Sequence, residues 1–263
     1  MPDERKWREL ITEARVQRSA PLSAITYIET RTTASKPVKV SVTGGKLYFV
    51  KGGHCQRQLV NDQIIGRLGV ALRAPTATVA HIDVVDALIA AEPMLGLHFP
   101  AGGRFQAGVW HGSLIIDGVS NDREGIAHFD LPENRPRFAL LAVLFGWGLG
   151  GDHQFLYANQ EPRLVHSCDH GHFFPNGPEW TIASLTGAPA ATPDQTLVST
   201  CNVTPAELRT AGAALDALDP EPVIAAALGN VLDHWGVSLD ELVAVAQYLT
   251  VRREQLLSHI AQL

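Results

Sequence analysis

Residues 150–174 constrain this chain more than any other stretch. They read Gly-Gly-Asp-His-Gln-Phe-Leu-Tyr-Ala-Asn-Gln-Glu-Pro-Arg-Leu-Val-His-Ser-Cys-Asp-His-Gly-His-Phe-Phe. Two apolar runs, residues 155–158 and 164–165, flank Asn159-Gln160-Glu161-Pro162, a turn by composition. The pattern predicts a β-hairpin. A hairpin returns its two ends to one place, so Asp152 before the first strand and Asp169 after the second are expected side by side. His153, Gln154 and His170 are expected beside them. Neighbouring carboxylates repel unless a cation lies between them. Such an oxygen-lined site suits a hard ion such as Mg²⁺. The alternative for the same residues is a polar turn with one structural carboxylate.

Upstream, residues 25–30, 37–43 and 46–51 read as strands, with Val38, Val40 and Val42 alternating and Gly44-Gly45 as a two-residue turn. Residues 56–72 read as an amphipathic helix with Leu59, Ile64, Leu68 and Leu72 near one face. A return strand is expected over 76–82 and a short helix over 84–92. Residues 94–104, rich in Gly and Pro, read as a connector. Beyond it the chain reads as mostly helical, with residues 137–149 as a buried helix and 188–199 as an exposed connection. Helices are expected over 204–217, 221–228 and 238–262. Thr204 with Glu207 and Ser238 with Glu241 look like capping boxes, with Pro205 at the first helical position. The stripe Leu242, Val245, Leu249, Leu256, Ile260 is a core face, and Trp110, Trp147, Trp180 and Trp235 read as core or junction residues.

The expected fold is therefore α+β and bilobal. Residues 1–95 form a small antiparallel sheet with one long helix, and residues 96–263 a helical lobe carrying the hairpin. At 263 residues the chain can enclose a sizeable core. Its net charge of −6 argues against general nucleic-acid binding. Cys55, Cys168 and Cys201 form no disulfide framework or zinc spacing, which points to a reducing cytoplasm. No apolar leader follows the N-terminus, and no apolar run is long enough to span a bilayer. Oligomeric state is not legible.

Lys51 ends a strand before Gly52-Gly53, where a lysine can hold phosphate oxygens as a point charge. Asp62 on the next helix can pair with it. The order is then strand lysine, helix carboxylate, hinge, apolar helix, Asp152, hairpin, Asp-X-Gly. This order resembles a protein-kinase-like fold and, more narrowly, the HipA-like kinase family. The resemblance covers roughly residues 22–258. It is carried by the strand pair ending in Lys51, Leu59-Val60-Asn61-Asp62, residues 66–75, Gly151-Asp152-His153-Gln154, Asp169-His170-Gly171, and residues 248–254 as a Leu-X-X-Arg-Arg helix.

The resemblance implies transfer of the γ-phosphate of ATP to a hydroxyl acceptor, such as a protein Ser or Thr. Lys51 would bind phosphate oxygens and Asp62 would steady it. Asp169 would hold Mg²⁺, with Gln154 as the helping amide, and Asp152 would orient or deprotonate the acceptor. No Gly-X-Gly-X-X-Gly loop is present; Thr32, Thr33, Ser35 and Lys36 stand between the first strands and would contact phosphates instead. The family's catalytic-loop Asn is replaced by Tyr157, and its helix acid is here Asp rather than Glu. These departures motivate a second reading, a nucleotide-binding pseudokinase with a regulatory or scaffold role. A third is a metal-dependent hydrolase using Asp152, Asp169 and the histidines His153, His166, His170 and His172.

Overall fold

The computed structural model describes residues 3–96, 105–120 and 125–263. The chain opens with helix α1 (Glu4–Val16), capped by Asp3, whose side chain accepts from Lys6 N. Strands β1 (Leu22–Thr30), β2 (Val38–Val42) and β3 (Leu47–Lys51) follow as an antiparallel meander. Val38, Val40 and Val42 point into the core as their alternation requires. The β2–β3 turn has three residues, 43–45, and not the two expected: Val42 N bonds to Lys46 O and Gly45 N to Val42 O. Gly44 and Gly45 both take positive φ, +89° and +79°, which glycine adopts without strain.

Helix α2 (Arg57–Ala71) comes next, then β4 (Val79–Val84) and the short α3 (Asp86–Ala91). The expected connector falls largely on residues 97–104, outside the described residues. Beyond it the chain does not turn mainly helical at once. Strand β5 (Gly108–Leu114) returns to the first sheet and pairs with both β3 and β4. The sheet order is β1-β2-β3-β5-β4, and a short parallel pairing of Leu22 with Ile82 and Ser23 with Asp83 closes it on itself. The sequence hid β5 because its centre, Trp110-His111-Gly112, buries a histidine and a glycine where apolar residues are expected.

Helix α2 is also not amphipathic. Residues 59–66 are all buried, including Asn61, Asp62 and Gln63. What looks in sequence like a solvent face is a row of buried polar groups.

The remaining elements are strand β6 (Val119–Ser120), α4 (Arg135–Gly148), the hairpin β7 (Phe155–Ala158) and β8 (Val165–Ser167), then α5 (Ile182–Thr186), α6 (Gln195–Thr200), α7 (Pro205–Asp216), α8 (Pro220–Gly229) and α9 (Leu239–Ala261). Both expected capping boxes are formed, at Thr204–Glu207 and Ser238–Glu241. The stripe on α9 is buried along its length, and so are Trp110, Trp147, Trp180 and Trp235.

Residues 188–199 are not an exposed connection. Ala191 and Leu197 are buried, and Thr192 and Pro193 lie so close to Gly146 of α4 that a Cβ there would come within 2.3 Å of Thr192 O. Helix α1, with Trp7 and Ile11 buried, packs chiefly on α8 and α9 rather than on the sheet that follows it in sequence. Among the described residues no helix is long and apolar enough to cross a membrane.

Helix α9 also holds α4 in place. Arg252 is buried and donates from Nε to Trp147 O, from Nη2 to Gly146 O and from Nη1 to Pro189 O. The first two are carbonyls of the last turn of α4, which a helix leaves without intrahelical partners. Tyr248 Oη donates to Gly148 O, and Trp147 Nε1 to Leu249 O. The C-terminal end of α4 is the point from which the Asp152 loop departs.

Candidate functional site

Lys51 is the last residue of β3, and its ammonium is buried between two carboxylates. Nζ lies 2.6 Å from Asp62 Oδ2 and 2.5 Å from Asp169 Oδ1. Three elements distant in sequence thus meet at one cation. Burial alone would pull the lysine below its ordinary range, but the charges of Asp62 and Asp169 outweigh it and hold it above.

Asp62 is used on both oxygens: the second accepts from the backbone N–H of His170 at 2.6 Å. Its neighbour Asn61 donates to Gly171 O (2.8 Å) and Phe173 O (2.9 Å) and accepts from Trp180 Nε1 (2.9 Å). Two successive residues of α2 therefore hold the segment after Asp169 by its backbone. Gly171 allows a close approach there, since a Cβ would come within 3.0 Å of Gln58 Cβ.

Asp169 takes the left-handed conformation, φ 55°, ψ 69°, which Asp tolerates better than most residues. Its Oδ2 has no hydrogen-bond partner among the described residues.

The predicted hairpin forms, with Phe155 opposite Ser167, Leu156 opposite His166 and Tyr157 opposite Val165. It is zipped beyond the strands by Cys168 N to Gln154 O (3.1 Å) and Gly151 N to His172 O (3.1 Å). Asp152 and Asp169 are thereby held at the same end, and the Cys168 thiol feels both carboxylates. Burial, reinforced by Asp169, pushes that thiol up to about 12, which disfavours the nucleophilic thiolate. Asp152 Oδ2 accepts from Gln154 Nε2 at 2.7 Å. Gln154 thus engages Asp152, leaving its own Oε1 and Asp152 Oδ1 without partners among the described residues.

The four histidines do not converge. His153 Nε2 meets Asp194 Oδ1 at 3.1 Å and its ring stacks on Phe145. His166 lies beside Arg137, His170 bonds Ser167 Oγ, and His172 is exposed. Alternation along β8 puts His166 on the face opposite Val165 and Ser167. Among the described residues no group of three His, Cys, Asp or Glu side chains is arranged as a metal site, so the hydrolase reading loses the cluster it needed.

The loop between β1 and β2 sits over the turn that follows Lys51. Ser35 is buried, and its carbonyl accepts from His54 Nε2 (3.0 Å) and Cys55 Sγ (3.2 Å). Thr32 and Thr33 are exposed, and Lys36 has a positive φ with its N–H on Thr33 O.

Sequence reasoning named Asn61 and Trp180 but gave them no role at the site, and it missed a row of buried polar groups behind Lys51. Lys51 pairs in register with His111, and His111 with His81. His111 meets Gln63 of α2 at 2.8 Å, and His81 meets Asn230 O at 2.8 Å. The signal was present: three polar residues in a row inside an apolar helix.

Burial holds His81 and His111 below the ordinary histidine range and takes His166 down to about 4. In the unfolded chain each binds a proton near its ordinary value of about 6.5. As pH falls, the unfolded state takes up protons that the folded state does not. Stability is therefore full above about pH 6.5 and lost progressively toward about pH 4. Thermal melts across that window are expected to show a falling midpoint; a flat profile contradicts this.

No family model and no curated protein matches the chain. Among solved structures, it is similar to the Helicobacter pylori proinflammatory kinase CtkA, with a TM-score of 0.48 and 9% identity over 92% of this chain and 98% of that one. It is also similar to the Golgi casein kinase, with a TM-score of 0.41 and 12% identity over 99% of this chain and 77% of that one. A form of that kinase with Mn/ADP bound gives 0.34 and 10%, over 98% and 77%.

Proposed function

We propose that this chain is a bilobal, protein-kinase-like phosphotransferase of HipA-like type, taking ATP with Mg²⁺ and passing the γ-phosphate to a hydroxyl acceptor such as a protein Ser or Thr. The observation that carries this reading is the burial of Lys51 between Asp62 and Asp169. A lysine tied to a helix carboxylate and facing an Asp-X-Gly acid is an arrangement that phosphoryl transfer uses.

The donor set fits the ion. Asp169 Oδ2, Asp152 Oδ1 and Gln154 Oε1 are hard oxygens without hydrogen-bond partners among the described residues, and Mg²⁺ takes one or two carboxylates plus phosphate oxygens. Asp169 and Gln154 are assigned to it. When bound, the ion neutralises charge developing on the phosphates.

Lys51 exchanges its contact with Asp169 for nucleotide phosphate oxygens while Asp62 keeps hold of it. Asp152, oriented by Gln154 Nε2, accepts the proton of the attacking hydroxyl. The loop bearing Thr32, Thr33, Ser35 and Lys36 supplies hydroxyls, a cation and backbone N–H groups to the phosphates. The domains assigned are residues 1–95 and 96–263, with β5 reaching back into the first sheet.

One observation favours a second reading. Tyr157 occupies the position of the expected catalytic-loop amide, and it is fully buried with its hydroxyl between Gly125 O and Ala127 N. It cannot serve an ion, so all amide help must come from Gln154. A nucleotide-binding pseudokinase would tolerate this.

Incubation with γ-labelled ATP, using the protein alone and with cell lysate, separates the two. Active transfer predicts label on the chain or an acceptor, reduced by a factor on the order of 10² or more in Asp152→Asn, the usual worth of a positioned acid–base group. Unlabelled products, or label unchanged in Asp152→Asn, leave the pseudokinase.

A further inference from the structure

A groove of about 380 Å³ lies between α2, β4 and α8, remote in composition from the acid pair and lined by Val70, Val79, Val223, Ala226 and Arg67 among others. Its walls are apolar, and Val70 is 46% exposed although it is a large hydrophobe. Arg67 is the exception. Arg67 is half-buried, and burial holds its guanidinium below the ordinary arginine range with no carboxylate to offset the loss of water. Among the described residues no Asp or Glu pairs with it. Arg57 and Arg135, by contrast, meet Glu241 and Glu207.

The polar partner of Arg67 is the amide oxygen of Gln63, at 3.0 Å from Nε and 3.3 Å from Nη2, in the orientation that also lets the amide donate to His111 Nδ1. A neutral amide satisfies hydrogen bonds but not the charge. A partly desolvated cation at an apolar wall is stabilised when an anion joins it.

We propose that this groove binds a small amphipathic monoanion, a carboxylate on a short alkyl or aryl body, with the carboxylate on the Arg67 guanidinium and the apolar body along Val70, Val79, Val223 and Ala226. The planar fork of arginine matches a carboxylate in two-point geometry. The volume is at the low end of the roughly 300–1,000 Å³ of small-molecule sites, which selects a single short chain over a two-chain lipid. The site lies on the same helix as Asp62, and Gln63 joins Arg67 to His111, the register partner of Lys51. The proposal does not depend on phosphoryl transfer.

The test is isothermal titration of the full chain with sodium octanoate, with octanol and inorganic phosphate as controls. Octanoate is expected to bind saturably at one site, octanol at least about tenfold more weakly, and phosphate not measurably. Arg67→Met is expected to weaken octanoate at least about tenfold. Should that variant fold poorly, Val70→Glu serves: it changes an exposed residue and sets a carboxylate three positions from Arg67, where it occupies the guanidinium intramolecularly, so octanoate binding is lost. Non-saturable octanoate binding, octanol binding equal to octanoate, or octanoate affinity unchanged in Arg67→Met or Val70→Glu overturns the proposal.

Discussion

Replacing Lys51 by methionine is expected to reduce phosphoryl transfer by a factor on the order of 10²–10³, the usual worth of one preorganised charged donor, and to destabilise the fold as well. Lys51 is 6% exposed and Asp62 3%, so both charges of that pair are out of water. Breaking a buried pair from one side costs about 3–5 kcal/mol, because the remaining charge has no partner. Asp169 is less affected, since its side chain is 26% exposed and can rehydrate.

The two effects separate in the double variant Lys51→Met with Asp62→Asn. Removing the stranded carboxylate returns much of the stability, as coupled neighbours do in a double-mutant cycle, while transfer stays as low as in Lys51→Met. Urea melts and γ-label incorporation on the same three proteins check this. A double variant less stable than Lys51→Met alone contradicts the pairing, and transfer retained in Lys51→Met contradicts the role.

Arg252→Met should be the most damaging change outside the site. The guanidinium bonds three backbone carbonyls and stands 5.1 Å from the Tyr248 ring. Each hydrogen bond from a charged donor is worth about 1.5–3 kcal/mol, with non-additivity keeping the sum below three times that. A loss of about 3–5 kcal/mol is a large share of the about 5–15 kcal/mol that holds a typical domain. At about 2–4 °C per kcal/mol for a chain of this size, the melting temperature falls by on the order of 10 °C. Arg252→Lys recovers less than half, since a point charge cannot serve three planar directions. Thermal denaturation of both variants is the check. A midpoint for Arg252→Met within about 2 °C of the parent, less than 1 kcal/mol on that scale, contradicts the capping role.

The parts of this structure that obey periodicity were legible in the sequence. Val38, Val40 and Val42 alternate because one side of β2 is core, and the apolar runs 155–158 and 164–165 mark a hairpin whose second strand is Val165–Ser167. The capping boxes at Thr204 and Ser238 were legible because they are local chemistry. Where polar groups are buried, reading failed. Asn61 and Gln63 look like a solvent face on α2, although their neighbour Asp62 was legible as the partner of Lys51, and His111 interrupts β5, because both places spend core positions on hydrogen bonds rather than on apolar contact.

Composition misled at residues 188–199, where Ala, Pro and Thr suggested exposure. There the backbone itself packs against Gly146, a contact that leaves no hydrophobic signature. The meeting of Lys51 with Asp62 and Asp169 spans 118 residues between Lys51 and the second acid. No local pattern encodes such a contact; only the order of parts along the chain hinted at it.

Equilibrium binding of ADP, with and without Mg²⁺, to the parent chain and to Asp169→Asn addresses the nucleotide site most directly. The parent is expected to bind ADP at least about tenfold more tightly with Mg²⁺, a gain of about 1.4 kcal/mol, and Asp169→Asn to lose that gain while remaining folded. A parent chain that binds no nucleotide, or an Asp169→Asn variant whose Mg²⁺ dependence is unchanged, would mean that the lysine and the acids around it serve only to hold the structure together.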